Sequence, residues 1–435
     1  MKRTLILITI IAACAATLAA RQVVTRRVSV SACNHAVYPY PDAKELPTLT
    51  PSPAGYEPFF MDHYGRHGSR WLSSQNDYEY PVKALQKADQ AGQLNELGQS
   101  VLRDLQRIAL AAYQHAGDLS DIGAEQHRGI AKRMYRNFPD VFAGDAAIDA
   151  RSTVVLRCIL SMQNETMVLR ALNPRLNITT DASYHDMHYM GYGHGEDTAA
   201  FHLRKDMDKI VDAMAKKTLN PSRFAAQLFN DTTWARTNLD LTMLMRKTYA
   251  VAGIIRGHHQ FDDLTLHYLF SADELFELWR LKSVLWYLYS ANAPANGNRM
   301  PFIERALLRD IIEKADTAIA TGNRGAAMRF GHESVVLPLA CLMELDSANY
   351  STTDLDNLHL HWRTYELIPM ACNIQLILYR PIGATKCDPD DILVKVLFNE
   401  HEATLPVAAA QGPYYRWSDL RAFYDKKLAT PIDWR

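Results

Sequence analysis

A histidine flanked by two arginines lies in the run Arg66-His67-Gly68-Ser69-Arg70. A guanidinium group presents a rigid fork of N–H donors that matches the oxygens of a tetrahedral dianion. The spacing therefore lets Arg66 and Arg70 grip one phosphate group. Their positive charge disfavours protonation of His67, which keeps the imidazole neutral and nucleophilic. The run predicts a site in which His67 attacks phosphorus and forms a covalent phosphohistidine.

Glycines in and before this run are expected to leave room for a ligand. Gly65 and Gly68 permit a tight backbone path and a close approach of the ligand. They also bear on an alternative, a metal site formed by His63 and His67. Such a pair would present both rings from one face of a regular helix, and the glycines disfavour a helix here. A surface loop with incidental charges is the other alternative.

A second candidate pair, His332-Glu333, follows Gly331. A carboxylic acid in the pocket could protonate the departing oxygen of a phosphate ester, and the neighbouring imidazole could donate a hydrogen bond to the phosphate. The same two residue types recur at His401-Glu402, where the surrounding residues predict a polar turn. The strand–glycine–helix setting favours His332 and Glu333 as the functional pair.

Strands that lead directly into helices are predicted to position both motifs. The intervals 57–64 and 326–330 are apolar strand candidates, each ending just before a motif. A third strand is predicted at 147–155, with a helix from Arg157 onward. Functional groups in open α/β sheets lie at the carboxyl ends of strands, and both motifs lie there.

The remaining intervals predict helices and one strand pair. Apolar residues three and four apart predict helices at 79–91, 95–116 and 121–138, and a helix at 335–345 with Pro338 in its first turn. Strands at 374–379 and 392–398 are predicted to pair around a turn. We expect one α/β domain built from 53–164 and 321–435, and a mostly helical cap from 165–320. Residues 21–52 are a lead-in segment.

Composition narrows the class of protein. The chain has 435 residues, 48% of them hydrophobic and 22% charged, with a formal net charge of −1. These values are typical of a globular protein that folds in water. Because positive and negative residues are nearly equal in number, the chain has no excess of basic residues, and nucleic acid is not the expected partner.

The first twenty residues predict an export signal. Lys2 and Arg3 precede an apolar stretch at 5–18, and Ala19-Ala20 offers small residues for cleavage. The stretch is too short to span a bilayer comfortably, so we expect a periplasmic, outer-membrane-associated or secreted protein. An alternative is a lipid anchor on Cys14, because residues 11–14 resemble a bacterial lipobox.

Cysteines and histidines elsewhere give weaker signals. Of six cysteines, five remain after the signal, and Cys372 with Cys387 is the favoured disulfide pair. Cys158 and Cys341 lie in apolar helical patterns and are expected to be buried thiols. No cysteine spacing indicates zinc.

Pocket lining or plain surface is favoured over a metal site for a group of three histidines: His185, His188 and His194.

The segment 64–70 resembles the signature of the histidine acid phosphatases, the family that includes phytases and multiple inositol polyphosphate phosphatases. In that family the histidine after the first arginine is the nucleophile, which implies this role for His67. Gly331-His332-Glu333 matches the downstream histidine–acid element. The segment 151–161 is similar to the one whose second arginine binds phosphate, which carries that role to Arg157. The likeness extends from about residue 55 to the end.

The resemblance implies a phosphoglycerate-mutase-like α/β domain with a large helical insertion, and no cofactor or metal. One departure concerns the acid. Many phytases have His-Asp and the inositol polyphosphate group typically has His-Ala-Glu, whereas Glu333 directly follows His332 here. This difference bears on the substrate class more than on the type of reaction.

The sequence thus predicts a metal-independent phosphomonoesterase for a small phosphorylated substrate. Arg66, Arg70, Arg157 and His332 would hold the phosphate, and Glu333 would protonate the leaving alcohol. Inositol polyphosphates such as phytate are the favoured substrates. Alternatives are a broad acid phosphatase for sugar or other organic phosphates, a mutase or phosphotransferase, and a phosphate-ligand binding protein without turnover. The oligomeric state stays open.

Overall fold

The computed structural model describes residue 38, residues 46–191 and residues 198–434. The predicted export signal, Cys14, Cys33, His194 and most of the lead-in segment lie outside the described residues. Among the helices that are described, none has the length and apolarity needed to cross a membrane.

An eight-stranded sheet forms the centre of the described chain. The spatial order is β3-β2-β4-β1-β5-β6-β7, and β8 pairs with β6. The strands are β1 (Tyr56–Arg66), β2 (Ala147–Ser152), β3 (Asn177–Asp181), β4 (Gly325–Gly331), β5 (Asn373–Pro381), β6 (Leu393–Phe398), β7 (His401–Glu402) and β8 (Tyr415–Arg416). The predicted strands are confirmed, and 374–379 and 392–398 form the expected antiparallel pair.

The four strands β3, β2, β4 and β1 run parallel, and their register aligns the ends that carry the motifs. Arg66 is opposite Gly331, and Ser152 is opposite Phe330. Three strands therefore end at one edge, as expected for a site at the carboxyl ends of parallel strands. The strand β2 stops at Ser152, three residues earlier than predicted.

Fourteen α-helices lie among the described residues: α1 (Gln75–Gln90), α2 (Glu96–Ala111), α3 (Asp121–Asn137), α4 (Leu156–Leu172), α5 (Met187–Met190), α6 (Thr198–Thr218), α7 (Ser222–Leu228), α8 (Thr232–Asn238), α9 (Leu241–Ile254), α10 (Ala272–Ser290), α11 (Arg305–Thr321), α12 (Glu333–Leu342), α13 (Thr364–Leu367) and α14 (Trp417–Leu428). Side-chain caps define several starts. Ser120 accepts from the amide of Gly123 at the start of α3, and Ser271 forms a capping box with Glu274 at α10.

Helices cover both faces of the sheet. Alternate residues of a strand point to opposite faces, so β1 buries Met61 on one side and Tyr64 on the other. The Met61 face packs against α3 and α4, and the Tyr64 face against α11, α12 and α14. Every residue of β4 is buried, as is usual for a parallel strand covered on both faces. The predicted α/β fold class is confirmed.

A second apolar cluster holds the helices that do not lie on the sheet. It joins α1 and α2 to α7, α9 and α10, with Trp279 fully buried among them. We keep the division into an α/β part and a helical part as a proposal. The packing differs from that division in two places: α1 and α2, within 53–164, pack in the helical cluster, and β3, within the mostly helical 165–320, belongs to the sheet.

The disulfide expected between Cys372 and Cys387 is wrong. Both are free thiols, as are Cys158 and Cys341, whose predicted burial is confirmed. Cys372 precedes β5 and Cys387 lies beyond its other end. A nine-residue strand spans about 30 Å, whereas bridged cysteines need Cα atoms within about 7 Å.

The position of Pro338 also differs from the prediction. The helix α12 begins at Glu333 and not at residue 335, which places Pro338 inside the helix instead of in its first turn. Its ring removes the N–H that would bond to the carbonyl of Ser334. Residues 335–342 are all buried, and this packing stabilises the helix against the lost hydrogen bond.

Candidate active site

The first candidate motif follows the end of β1 and is fixed by backbone hydrogen bonds. The amide of His67 donates to the carbonyl of Gly331 at 2.9 Å, which ties the end of β1 to the end of β4. The amide of Arg66 donates to the carbonyl of Cys372 at 2.8 Å, and the amide of Ala371 donates to the carbonyl of His67 at 3.0 Å. The nucleophile candidate therefore has a fixed backbone.

The ring of His67 has the tautomer that a nucleophile needs. Its Nδ1 lies 2.9 Å from the carbonyl oxygen of Gly68. A carbonyl only accepts, so the proton is on Nδ1 and the lone pair is on Nε2. Nε2 is buried and has no hydrogen-bond partner among the described residues. Burial and the guanidinium groups of Arg66 and Arg157 hold the pKa of His67 well below its usual range.

Three guanidinium groups approach this ring from different elements. Arg66 is fully buried and donates to the carbonyl of Ile368 at 2.8 Å. Arg70 donates to the carbonyl of Trp71 at 2.7 Å, and burial lowers its pKa to about 10, so it stays charged at neutral pH. Arg157, in the first turn of α4, is half-buried. All three act electrostatically on His67, which makes this a strongly anion-attracting pocket.

His332 and Glu333 come from the junction of β4 and α12. The ring of His332 lies 5.6 Å from that of His67, nearly perpendicular to it. Its Nδ1 is 3.4 Å from Nη2 of Arg157. Burial and Arg157 lower the pKa of His332 to about 3, so the ring is neutral in the free protein.

The carboxylate of Glu333 faces the nucleophile. Its Oε2 lies 3.7 Å from Nε2 of His67, and its Oε1 lies 3.0 Å from Nη2 of Arg66. Burial alone would raise the pKa of Glu333, but Arg66 and Arg70 outweigh burial and lower the pKa to about 2. Glu333 is therefore ionised in the free protein. To act as an acid, Glu333 must gain a proton when a bound dianion pairs with Arg66 and Arg70.

The six residues singled out in the sequence are thus brought together in one cluster: Arg66, His67, Arg70, Arg157, His332 and Glu333. The second histidine–glutamate pair is elsewhere, on β7 in the antiparallel half of the sheet. Glu402 there accepts hydrogen bonds from Thr50.

Metal alternatives fit the geometry less well than an anion does. Ligand atoms of His67, His332 and Glu333 lie within 4.8 Å of one another and could hold a metal ion. Three nearby guanidinium groups, however, repel a cation and attract an anion. His63 is fully buried beside Phe330 and is not part of this group.

Two of the three histidines grouped in the sequence, His185 and His188, are described, and both lie on the surface. The side chain of His185 is 86% exposed and pairs with Asp186. His188 is also exposed, and its ring meets the carbonyl of His185.

Polar residues behind the loop complete the site, and sequence reasoning gave them no role. Gln126 on α3 accepts from the amide of Ser69 at 2.7 Å and donates to its hydroxyl at 2.9 Å. The hydroxyl of Ser161 on α4 accepts from the amide of Gly68 at 3.2 Å. A signal existed: Gln126 precedes Ile130 and Met134 at four-residue spacing, on the face that α3 buries.

Gly68 serves a protein contact and not the ligand approach that was expected. A Cβ atom at Gly68 would lie 2.3 Å from the carbonyl oxygen of Gly123, so the loop rests directly on the first turn of α3. We expect Gly68→Ala to destabilise the fold by about 1–3 kcal/mol and to displace His67. Urea unfolding and phosphate release would measure both effects. A fully stable and active variant would show that this contact is dispensable.

No family model and no curated protein sequence matches the chain, but solved structures share its fold. The multiple inositol polyphosphate phosphatase of Bifidobacterium longum has a TM-score of 0.69 in its apo form and in complexes with phosphate and inositol hexasulfate. Sequence identity to it is 19 or 20%, over 92% of this chain and 97% of that chain.

Two phytases are also similar in fold. The D. castellii enzyme has a TM-score of 0.67 at 12% identity, over 93% of this chain and 86% of that chain. The apo Hafnia alvei enzyme has a TM-score of 0.50 at 11% identity, over 87% and 98%. The fold expected from the resemblance to histidine acid phosphatases is therefore confirmed. At these identities the likeness establishes the fold and not the activity.

Proposed function

We propose that the chain is a phosphoric monoester hydrolase that works through a phosphohistidine on His67, with inositol polyphosphates such as phytate as substrates. The observation that carries this proposal is the bare Nε2 of His67, which lies between three guanidinium groups and faces Glu333 at 3.7 Å. This arrangement combines a nucleophile, a dianion grip and a candidate acid in one pocket.

In the first half-reaction, Nε2 of His67 attacks phosphorus and forms an N–P bond while the P–O bond to the leaving alcohol breaks. Glu333, protonated in the complex, gives its proton to the leaving oxygen. Arg66, Arg70 and Arg157 hold the phosphoryl oxygens and stabilise the charge as it shifts.

In the second half-reaction, water attacks the phosphohistidine and Glu333 takes a proton from that water. Phosphate leaves, and His67 regains its lone pair. Positive charge comes from the arginines throughout, so the mechanism needs no metal ion or cofactor.

A cavity of about 480 Å³ beside Arg70 supports a substrate with several phosphates. We call it the basic cavity. It is lined by Arg246, Lys247 and Lys282 among other residues, and by Asp77, which pairs with Lys247. Arg246 and Lys282 are exposed and make no ion pair with any described residue. Cations next to the reacting site attract further phosphate groups. The B. longum neighbour, named for inositol polyphosphates, fits the same conclusion.

We expect Arg246→Ala and Lys282→Ala each to raise KM for phytate about tenfold, because each removes one charge-assisted contact worth about 1.4 kcal/mol. KM for p-nitrophenyl phosphate should change less than about twofold, because that substrate has no second phosphate. Steady-state kinetics on both substrates measures this selectivity, with Lys426→Ala on α14 as a charge-matched control. Equal effects on both substrates would contradict a role for the basic cavity in recognising extra phosphates.

One substrate panel separates the alternatives. Phytate and sugar phosphates are incubated with the protein, and released phosphate and inositol products are quantified by chromatography. A preference for phytate supports the proposal, and similar rates on all substrates indicate a broad acid phosphatase. Transfer to an added alcohol would indicate a phosphotransferase. Binding of phytate by calorimetry without phosphate release would indicate a binding protein.

We also propose that the chain is exported, on the strength of residues 1–20. Mass spectrometry of the mature N-terminus would distinguish cleavage after Ala20 from lipidation of Cys14.

A further inference from the structure

The ring of His332 is fixed by polar groups on both of its nitrogens. On the pocket side, Nδ1 lies 3.4 Å from Nη2 of Arg157. On the inner side, Nε2 lies 3.3 Å from Oγ1 of Thr153 and 3.6 Å from Sγ of Cys158. Thr153 and Cys158 are fully buried, so water does not compete for these contacts.

The contacts of His332 with its neighbours set the tautomer of its ring. A guanidinium only donates, so Arg157 requires the lone pair of His332 to be on Nδ1 and the proton to be on Nε2. That Nε2–H is donated to Oγ1 of Thr153. A hydrogen bond also links the side chains of Thr153 and Cys158. The thiol donates to the carbonyl of Gly331 at 3.2 Å.

We propose that Thr153, supported by the Cys158 thiol, is a positioning residue that holds His332 with Nε2–H turned inward and Nδ1 turned to the phosphate. The proposal rests on the proposed function of the site. Burial raises the pKa of Cys158 to about 12, so the thiol keeps its proton and its place in the chain of hydrogen bonds. Thr153 is itself fixed, because its amide donates to the carbonyl of Phe330 at 2.9 Å.

This arrangement has a consequence for phosphate binding. When a bound phosphate accepts the hydrogen bonds of Arg157, the lone pair on Nδ1 of His332 would face an oxyanion and repel it. The ring of His332 therefore gains a proton on Nδ1 and donates it to a phosphate oxygen. It can do so without turning because Nε2–H already has an acceptor in Thr153. Without that acceptor, the doubly protonated ring would keep a buried and unpaired N–H.

The first test is the protonation of His332, read by NMR of protein with ¹⁵N-labelled histidine and assigned with His332→Gln. In the free wild type the proton should be on Nε2, and with inorganic phosphate both nitrogens should be protonated at pH 5. Thr153→Val should lower the pKa of His332 in the phosphate complex by about one unit, because one hydrogen bond is lost. Thr153→Ser should restore it.

The second test is kinetic. Thr153→Val should lower kcat about tenfold on an alkyl phosphate and on p-nitrophenyl phosphate alike, with KM changed less than about threefold. His332 acts on the phosphoryl group and not on the leaving group, so the loss should not depend on the leaving group. Thr166→Val is the matched control, since its buried hydroxyl bonds to backbone carbonyls of α4 and not to the site.

An unchanged tautomer and pKa of His332 in Thr153→Val, or no recovery in Thr153→Ser, would overturn the proposal. If Thr153→Val does not fold, Cys158→Ala replaces it, and a pKa shift of the same sign is required. Absence of phosphate release by the wild type would instead overturn the proposed function. The NMR experiment would still report on Thr153 in that case.

Discussion

Replacing His67 by alanine is expected to lower kcat for every phosphate monoester by at least about 10⁴-fold, as removal of a covalent nucleophile does in other enzymes. The side chain is fully buried, and it directs its lone pair into the pocket. The other described imidazole of the pocket, that of His332, is not placed to replace it, because its Nδ1 contacts Arg157 and its Nε2 faces Thr153.

The same variant should still bind inorganic phosphate. Arg66, Arg70 and Arg157 remain, so its Kd measured by calorimetry should change less than about tenfold. Labelled substrate should leave a covalent phosphoryl group on the wild type after rapid quenching, and none on His67→Ala. His188→Ala, at an exposed histidine, is the control for loss of an imidazole. Substantial turnover by His67→Ala would end the assignment of the nucleophile.

Glu333→Gln is expected to separate substrates by their leaving groups. Loss of a general acid costs about 10²–10⁴-fold where the departing oxygen needs a proton, as in an alkyl phosphate. The p-nitrophenolate ion is stable without a proton, so the loss on p-nitrophenyl phosphate should be below about tenfold. Stopped-time assays on both substrates give the ratio. Equal losses would contradict the role of Glu333 as acid.

The charge state of Glu333 also predicts a pH dependence. Arg66 and Arg70 hold its pKa at about 2 in the free protein, and a bound dianion should raise it by engaging the same two arginines. The protonated form is present below the raised pKa and is lost as pH rises through it. The rate on an alkyl phosphate should therefore fall more steeply with rising pH than the rate on p-nitrophenyl phosphate. Glu333→Asp should retain part of this dependence, because it keeps an acid one methylene further away.

Local information was enough to predict most helices and strands and the motif that follows the first strand. Arg66, His67 and Arg70 lie within five residues at the end of β1, so their closeness in space follows from their spacing alone. Strands such as β1 and β4 and helices such as α3 were visible because apolar periodicity is a local property. Their exact ends differed from the prediction, as α12 and Pro338 show, since a helix end depends on the capping and packing around it.

The tertiary structure decided everything that depends on distance through space. The parallel register of β1 with β4 brings His332 to His67, although 265 positions separate them in the chain. No periodicity encodes that pairing, because sheet order is settled by how whole elements bury their apolar faces together. The pairing of β2 with β4 likewise places Thr153, which follows β2, beside His332.

Charge states and covalent links were decided in the same way. The sequence alone determined that the motif from Arg66 to Arg70 lies at the end of a strand, since those residues are neighbours in the chain. The ionisation of Glu333 and the free thiols of Cys372 and Cys387 follow instead from burial, from neighbouring arginines and from the length of β5. These are properties of the packed molecule, because a pKa or a bond between distant residues depends on what folding places around them.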